Sequence, residues 1–370
     1  MKNHPTISAA LAAIVSLSAV CCTKPLESGV ATQVQEGTAT LNLQIGAPQT
    51  KVAGQAAGNE AKIQNVQVFV FRAGDGGDAG NLEIAVSQGF STPLNQDPPL
   101  TDLTVKCTTG SRDIWVVVND SEDRTKGADA VSTKSEFLLL THDLMHSDKT
   151  KLLMIGHQEE TLTEGAKTLA IEVKRYVAAV MLDAVVNDFS SPAYQKTGVF
   201  RLENAYLLNV PGRINFGHTS DPAAYSFDYW YAKRAAETDP QKRALIYDTL
   251  GATLVDYTQT YGSDVGVKHT FYTYPNACAA NATTTGDYTA RATLLVVEAS
   301  IKNSAGNWQL YYYPVTLSSG PLESNKLYKV RLTVHRPGSL DPNIPVKFSD
   351  VTPNITVSDW VNGESYTPEI

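Results

Sequence analysis

The residues best suited to chemistry in this 370-residue sequence are few and scattered. His142 and His146 stand four apart, a spacing that on a helix could bring two imidazoles to one metal ion. The glutamate of the zinc-protease motif is missing between them, and no third ligand is evident. The sequence therefore favours a helix end with two exposed histidines, and no metal or other cofactor is expected.

Other candidate sites are equally incomplete. The acidic run Asn119–Asp123 lacks the alternating spacing of a calcium loop, so a solvated turn is expected. The glycine-rich stretch Gly74–Gly80 lacks the Gly-Lys-Ser/Thr that completes a phosphate-binding loop, and it is typical of a hairpin tip. The aromatic segment Ala224–Tyr231 could line a glycan-binding surface or pack in a core. No set of residues with the spacing of a known catalytic site remains, and an enzyme is not expected.

The four cysteines divide into a pair near the N-terminus and two distant single residues. Cys107 and Cys278 do not form a disulfide framework, and each is expected to be a small buried residue. Cys21 and Cys22 come directly after a short apolar run that ends at Val20, too short to span a bilayer. This arrangement resembles a bacterial lipoprotein signal with lipid on Cys22, or on Cys21 as the fallback. An ordinary signal peptide with two incidental cysteines is the alternative.

Composition narrows the classes of partner and the number of domains. The formal net charge of −8 argues against nucleic acid or an anionic membrane surface as a partner. With 42% hydrophobic and 18% charged residues, the chain can bury a large core. The chain beyond the signal is too long for one typical core, so two domains are expected.

Period-two alternation of apolar and polar residues dominates the chain and predicts strands. It is clear in Thr40–Ile45, Val66–Phe71, Ile114–Val118 and Leu327–His335. One helix interrupts the strands, because Thr133 and Glu136 form a capping-box pattern ahead of Phe137, Leu140 and Leu144. We predict an all-β fold with minor helices, made of two antiparallel β-sandwiches in tandem.

An ordered series of phrases then resembles the Bacteroidales fimbrillins, the FimA-like type V pilins. It includes the lipoprotein signal, the strand Ile114–Asn119 and the junction that runs from Val173 to Val180. The most specific phrase runs from Asn325 to Gly338 and continues to Trp360. No single phrase is diagnostic, but their order covers nearly the whole chain.

The resemblance implies a transthyretin-like pilin that is exported as an outer-membrane lipoprotein. A trypsin-like protease cuts it after a basic residue in the first loop, and the first strand leaves. A strand from another subunit's C-terminus then fills the open groove, so that subunits polymerise into surface fimbriae. The implied organisation is a signal at 1–22, a propeptide at 23–51, and sandwich domains at 52–173 and 174–370.

The residues support a cleavage site at Lys51. Between Pro25 and Ala61 it is the one lysine or arginine, and it lies in a small, polar linker of the kind proteases cut. Cleavage would start the mature subunit at Val52, whereas an ordinary surface lysine is the alternative. The family's best-known proteases prefer arginine, so the identity of this protease is open.

The C-terminal segment 355–370 is expected to supply the donor strand. Ile355 and Val357 alternate with polar residues, and Tyr366, Pro368 and Ile370 share a face near the end. Pro368 counts against the assignment because it cannot donate to a β-ladder. An ordinary edge strand or a frayed tail is the alternative.

Three functions compete at this point. The first is a structural subunit of an adhesive surface fimbria, whose partners are other subunits, a maturation protease and a ligand on a host or bacterial surface. The second is a non-polymerising surface lipoprotein that binds a glycan or a host protein. The third is a hydrolase with an unrecognised site.

Overall fold

The computed structural model describes residues 36–46, 60–127, 130–217, 229–262, 267–278, 291–317, 321–344, 347 and 350–360. Strands make up 54% of the described residues and helices 5%, which confirms the predicted all-β class. None of the helices within these ranges is long and apolar enough to cross a membrane.

The strands succeed one another along the chain with two short helices between them. In the first half they are β1 Thr38–Gly46, β2 Val66–Arg72, β3 Leu82–Gln88, β4 Leu100–Thr108, β5 Gly110–Val118, helix α1 Lys134–Leu139, β6 Thr141–Asp143, β7 Met154–Leu162, β8 Gly165–Glu172 and β9 Lys174–Arg175. In the second half they are β10 Ala178–Asn187, β11 Phe200–Leu208, β12 Val210–Pro211, β13 Arg213–Asn215, β14 Trp230–Tyr231, helix α2 Pro240–Arg243, β15 Tyr247–Leu254, β16 Thr260–Tyr261, β17 His269–Thr273, β18 Leu294–Lys302, β19 Trp308–Thr316, β20 Lys326–Val334 and β21 Val351–Asp359.

The first half forms a sandwich of two sheets. A three-stranded sheet has the order β4-β1-β8, and a five-stranded sheet has the order β3-β2-β5-β7-β9. Alternate residues of their strands meet in one apolar core, which includes Leu41, Val68, Val105, Val116 and Leu169. Alternation in the sequence therefore reports which face of each strand is buried.

The second half also forms two sheets. One has the order β16-β10-β20-β21, with β17 paired to β10, and the other has the order β15-β11-β18-β19. The expectation of purely antiparallel sheets is wrong at two places, because β1 runs parallel to β8 and β10 runs parallel to β20. Both parallel pairs join strands that are far apart in sequence, which a hairpin cannot do.

The two halves meet through β-pairing and aromatic packing. Strand β6 from the first half pairs with β13 from the second, and Phe137 of α1 packs edge-on against Phe216 at 5.4 Å. The apolar cluster of the second half also takes in Phe69 and Trp115 from the first. The predicted domain boundary at 173/174 stays a prediction.

Helix α1 begins as the sequence predicts and ends earlier. Thr133 and Glu136 form a complete capping box, but Leu140 is already the C-cap. The expectation of an exposed His142 is wrong: its side chain is 1% exposed, and its Nδ1 lies 2.7 Å from the Tyr274 hydroxyl. Burial lowers the pKa of His142 to about 3, so the ring is neutral at pH 7. His146 is exposed, as expected.

Two loops can be compared with their predicted conformations. The residues 73–81 connect β2 to β3, and Gly74 and Gly80 have positive φ, as a hairpin tip requires. The solvated turn expected at Asn119–Asp123 is wrong for Asn119 and Asp120, which are fully buried. Arg124 pairs with Asp120 at 3.1 Å and explains that burial.

The structure describes the two single cysteines and part of the aromatic segment. Cys107 is buried as expected, whereas Cys278 is half-buried. Trp230 and Tyr231 are core residues of β14, which favours the core interpretation for the end of the aromatic segment. Its residues 224–228 lie outside the described ranges.

Candidate functional site: strand β1 and the C-terminal strand

Strand β1 is the central strand of its sheet. It pairs antiparallel with β4 and parallel with β8, so both of its edges are hydrogen-bonded. Its inward residues Ala39, Leu41, Leu43 and Ile45 are at most 1% exposed. A strand in this position supplies both the ladder and one face of the core.

The backbone on either side of β1 is also fixed. The amide of Thr109 donates to the Gly37 carbonyl at 2.9 Å, and the amide of Val173 donates to the Gly46 carbonyl at 2.8 Å. The Gly37 amide donates to the Thr109 hydroxyl at 3.0 Å. Strand β1 is therefore anchored from its first residue to its last.

A charged side chain precedes β1 and contacts residues of β2, β4 and β5. Arg72, the last residue of β2, donates from Nη1 and Nη2 to the two carboxylate oxygens of Glu36, at 2.6 and 2.8 Å. The Thr108 hydroxyl donates to Glu36 Oε2 at 2.7 Å, and Arg112 Nη2 lies 3.7 Å from Oε1. We call Arg72, Thr108 and Arg112 the carboxylate clamp.

The clamp perturbs the ionisation of Glu36. The hydrogen bonds from Arg72 and then Thr108 lower the pKa of Glu36 to about 2. A bidentate arginine–carboxylate pair fixes both position and orientation. This group was not predicted from the sequence, and the available signal was a glutamate directly before the first alternating strand.

The predicted processing residues cannot be placed on this framework. Lys51 and Val52 lie in residues 47–59, and Cys21 and Cys22 lie in residues 1–35, all outside the described ranges. The structure describes the chain again from Glu60, which is 2% exposed. The residues 47–59 thus connect the end of β1 to the buried Glu60.

Glu60 belongs to a second cluster that was not predicted from the sequence. The Tyr272 hydroxyl donates to Glu60 Oε1, and Arg175 Nε lies 3.5 Å from the Glu60 carbonyl oxygen. The Arg175 guanidinium stacks 4.4 Å from the Trp360 ring centroid, and Tyr272 stacks on the same ring at 5.8 Å. Burial raises the pKa of Glu60 and lowers that of Arg175 to about 10. The cluster joins the chain after the linker to the end of β21.

Strand β21 lies at the edge of its sheet. It pairs antiparallel with β20 from Val351 to Asp359, and its last contact is the Trp360 amide donating to the Asn325 carbonyl at 3.0 Å. Ile355 is half-buried against the core and Val357 is 49% exposed, so both predicted donor residues pair with β20 of the same chain here. Tyr366 and Ile370 lie in residues 361–370, outside the described ranges.

The described residues contain no group of three or more histidine, cysteine or acidic side chains placed to hold a metal ion. The arrangement suits strand pairing instead, since β1 is the central strand of one sheet and β21 is the edge strand of another among the described strands.

The fold is similar to that of solved fimbrillins and related structures. A solved fimbrilin from Porphyromonas gingivalis W83 superposes with a TM-score of 0.59, at 16% identity over 88% of this chain and 99% of that one. Cell-adhesion candidates from Bacteroides eggerthii and Parabacteroides distasonis give TM-scores of 0.59 and 0.62, at 19% and 16% identity, each over 88% of this chain and 97% and 100% of their own.

The sequence comparisons agree with the fold. The model of the major fimbrial subunit protein (FimA) matches residues 39–197. The chain is also 23% identical to the major fimbrium subunit FimA type-2 of Porphyromonas gingivalis, over 95% of this chain and 96% of that protein. The chain is therefore similar in sequence to FimA major fimbrial subunits of Bacteroidales.

Proposed function

We propose that this chain is a polymerising subunit of an adhesive fimbria, exported as a lipoprotein on Cys22 and matured by cleavage after Lys51. Cleavage by a trypsin-like protease frees residues 23–51, which include β1. The groove left behind then accepts the C-terminal segment of a second subunit. The observation that carries this proposal is the central position of β1, with its inward face buried, on the N-terminal side of the proposed cleavage site.

The free energy of filling the groove left by β1 would drive insertion of a donor strand. With neighbouring strands about 4.8 Å apart, β4 and β8 would be left about 10 Å apart with a row of unpaired backbone groups on each. Burying Leu41, Leu43 and Ile45 contributes about 1.5–3 kcal/mol for each side chain. A donor strand with alternating apolar residues would restore both the backbone hydrogen bonds to β4 and β8 and the buried apolar contacts.

Residues 361–370 are the donor segment that requires the least rearrangement, because β21 can then stay in its own sheet. Trp360 is 1% exposed and stacked on two side chains, so it holds β21 in its own sheet. Extended at about 3.3 Å per residue, the ten residues beyond it reach roughly 33 Å, more than the roughly 20 Å from Ala39 to Ile45. Tyr366, Pro368 and Ile370 would enter the pockets, whereas a donor that includes Ile355 and Val357 requires β21 to leave β20.

The test uses purified precursor and two lysine variants. After treatment with a trypsin-like protease, wild-type and Lys62→Ala precursors should lose residues up to Lys51 and form fibres visible by electron microscopy. Lys62 is the matched control because it is the next lysine along the chain, paired with Asp97 at 3.5 Å. The Lys51→Ala precursor should stay monomeric. Fibres formed by uncleaved Lys51→Ala protein would refute the proposal.

A further inference from the structure

The last described residue of the chain lies close to one end of the groove that β1 occupies. The Gly46 carbonyl, at the end of β1, accepts the Val173 amide at 2.8 Å. Two residues further along the chain, the Arg175 guanidinium stacks 4.4 Å from the Trp360 ring centroid. The tail, residues 361–370, therefore starts beside the Gly46 end of the groove in its own subunit.

The directions of the strands give the tail a path into this groove. Strand β1 runs parallel to β8, and both end at the junction 173–177 between the two halves of the molecule. Strand β21 also ends there, because the Trp360 amide donates to the Asn325 carbonyl at 3.0 Å and the Asn325 amide donates to the Val177 carbonyl at 2.9 Å. A chain that continues beyond Trp360 would meet the groove at Gly46 and run through it against the direction of β1.

The length and the alternation of the tail fit this path. The six residues from Trp360 to Tyr366 extend over roughly 20 Å, enough to reach from the junction to the pocket of Ile45. The two-residue period of a strand then brings three side chains of the tail to three pockets of β1, namely Tyr366 to Ile45, Pro368 to Leu43 and Ile370 to Leu41.

The two acidic residues of the tail stay out of the core in this direction. Glu369 takes the outward place of Asn42, where the Thr104 hydroxyl already donates to a side-chain oxygen at 3.1 Å. Glu364 stays outside the groove, two positions before Tyr366. Both carboxylates therefore meet solvent or a hydroxyl donor rather than an apolar pocket.

The direction of β1 itself is less favourable for the same tail. With Tyr366 in the pocket of Ala39, Glu364 takes the place of Gly37, where a side chain would contact the Glu164 carboxylate. Moving the tail two residues further along brings Glu364 into the core at the place of Ala39. The first arrangement puts like charges together and the second buries a carboxylate among apolar side chains.

We propose that the tail of a cleaved subunit folds back into its own groove and caps it until the tail of a second copy takes its place. The cap rests on the proposed function, since the groove opens only after β1 has left. It would cover the unpaired edges of β4 and β8 and the apolar pockets between them, which otherwise invite unspecific association.

Tethering favours the subunit's own tail at low subunit concentration. A short flexible connection gives the tail an effective concentration on the order of millimolar, which does not depend on how many subunits are present. Capture of a second copy's tail rises with subunit concentration. The cap is also incomplete, because the pocket of Ala39 receives no side chain and Pro368 has no amide to donate to a ladder. Assembly would therefore start only where cleaved subunits accumulate.

The experiment measures how fast cleaved subunits take up a donor supplied from outside. The probe is a synthetic peptide of residues 361–370 with a fluorophore at its N-terminus, and its binding is followed by fluorescence anisotropy. A cleaved chain that ends at Trp360 should bind this peptide about tenfold or more faster than the cleaved full-length subunit, because only the latter has to open a cap. Both are measured at a dilution at which light scattering detects no fibres.

Two full-length variants test the register of the cap. Tyr366→Asp brings a charge to the pocket of Ile45, so its own tail should not cap and it should bind the wild-type peptide as fast as the truncated chain. Thr367→Asp is the matched control, since Thr367 takes the exposed outward place of Gln44 and the cap should persist. Both substitutions lie beyond Trp360 and change no residue that the structure describes.

The outcomes separate the cap from the proposed function. Equal peptide-binding rates for the full-length and the truncated chain overturn the cap while leaving donor-strand assembly intact. A Tyr366→Asp subunit that binds the peptide as slowly as Thr367→Asp also overturns it. If no cleaved chain binds the peptide and the cleaved full-length subunit forms no fibres at any concentration, the proposed function itself fails.

Discussion

Trp360 is the residue that fixes where the described C-terminal strand ends. Its indole is 1% exposed between Arg175 and Tyr272. We expect Trp360→Ala to lower the free energy of unfolding by about 3–5 kcal/mol, because a large cavity forms and two stacking contacts are lost. Urea unfolding measures this, with Leu139→Ala as the control at a side chain that is 72% exposed. Equal unfolding midpoints for the two variants would contradict the anchoring role.

The pairing of Glu36 with Arg72 should make the stability of the precursor depend on pH. Its pKa is depressed to about 2, so its pairing with Arg72 stabilises the precursor fully above the unfolded value of about 4.5. That contribution is lost as the pH falls from about 4.5 towards 2. Glu36→Gln should therefore be less stable than wild type at pH 7, and the difference should shrink across this window. A difference that stays constant, or an equal loss in the exposed control Glu159→Gln, would argue against the clamp.

Residue environments were the least predictable part of the molecule. His142 and Asp120 look like surface residues in sequence, but both are buried because Tyr274 and Arg124 provide polar partners. Tyr274 is far from His142 in sequence, so no local pattern could reveal the pair. The same holds for Glu36 with Arg72 and for Glu60 with Tyr272.

At the scale of elements, β1 should be required for the stability of the precursor. Leu43 is fully buried in the central strand, so Leu43→Ala should cost about 2–5 kcal/mol. Gln44→Ala changes the exposed neighbour on the same strand and should cost little. Thermal or urea unfolding of uncleaved protein compares them, and a Leu43→Ala precursor as stable as Gln44→Ala would mean that β1 is not part of the core.

The C-terminal tail can be separated from β21 by deletion. A chain that ends at Trp360 keeps β21 and its anchor, so we expect it to fold and to be cleaved at Lys51. Without residues 361–370 it should stay monomeric and should still accept the tail of an intact subunit. Normal fibres of the truncated chain would show that the tail is not the donor.

Elements were largely predictable from alternation, and their partners were not. The strands β1, β2, β5 and β20 and the capping box at Thr133 obey local patterns that the sequence contains. The early end of α1 does not, because Thr141–Asp143 leaves the helix to pair with β13, far along the chain. The parallel pairs β1–β8 and β10–β20 likewise depend on tertiary packing rather than on local pattern.

The whole molecule has the features that the proposed strand exchange requires. A buried strand lies before the predicted cut, the linker 47–59 carries its single basic residue, and a tail extends beyond the anchored end of β21. The similarity to FimA subunits and the all-β fold could be predicted from the order of local sequence motifs. The clamp and the Glu60–Trp360 cluster could not, since each joins residues from distant parts of the chain.

The most direct test of the account is the N-terminus of the subunit inside assembled fibres. Fibres sheared from cells and dissociated by heat would be analysed by N-terminal sequencing and by intact mass. We predict a subunit that begins at Val52, with no β1 peptide remaining in the fibre. A subunit that begins at Cys22 or Cys21, or a β1 peptide present in equal amount with the mature chain, would contradict strand replacement.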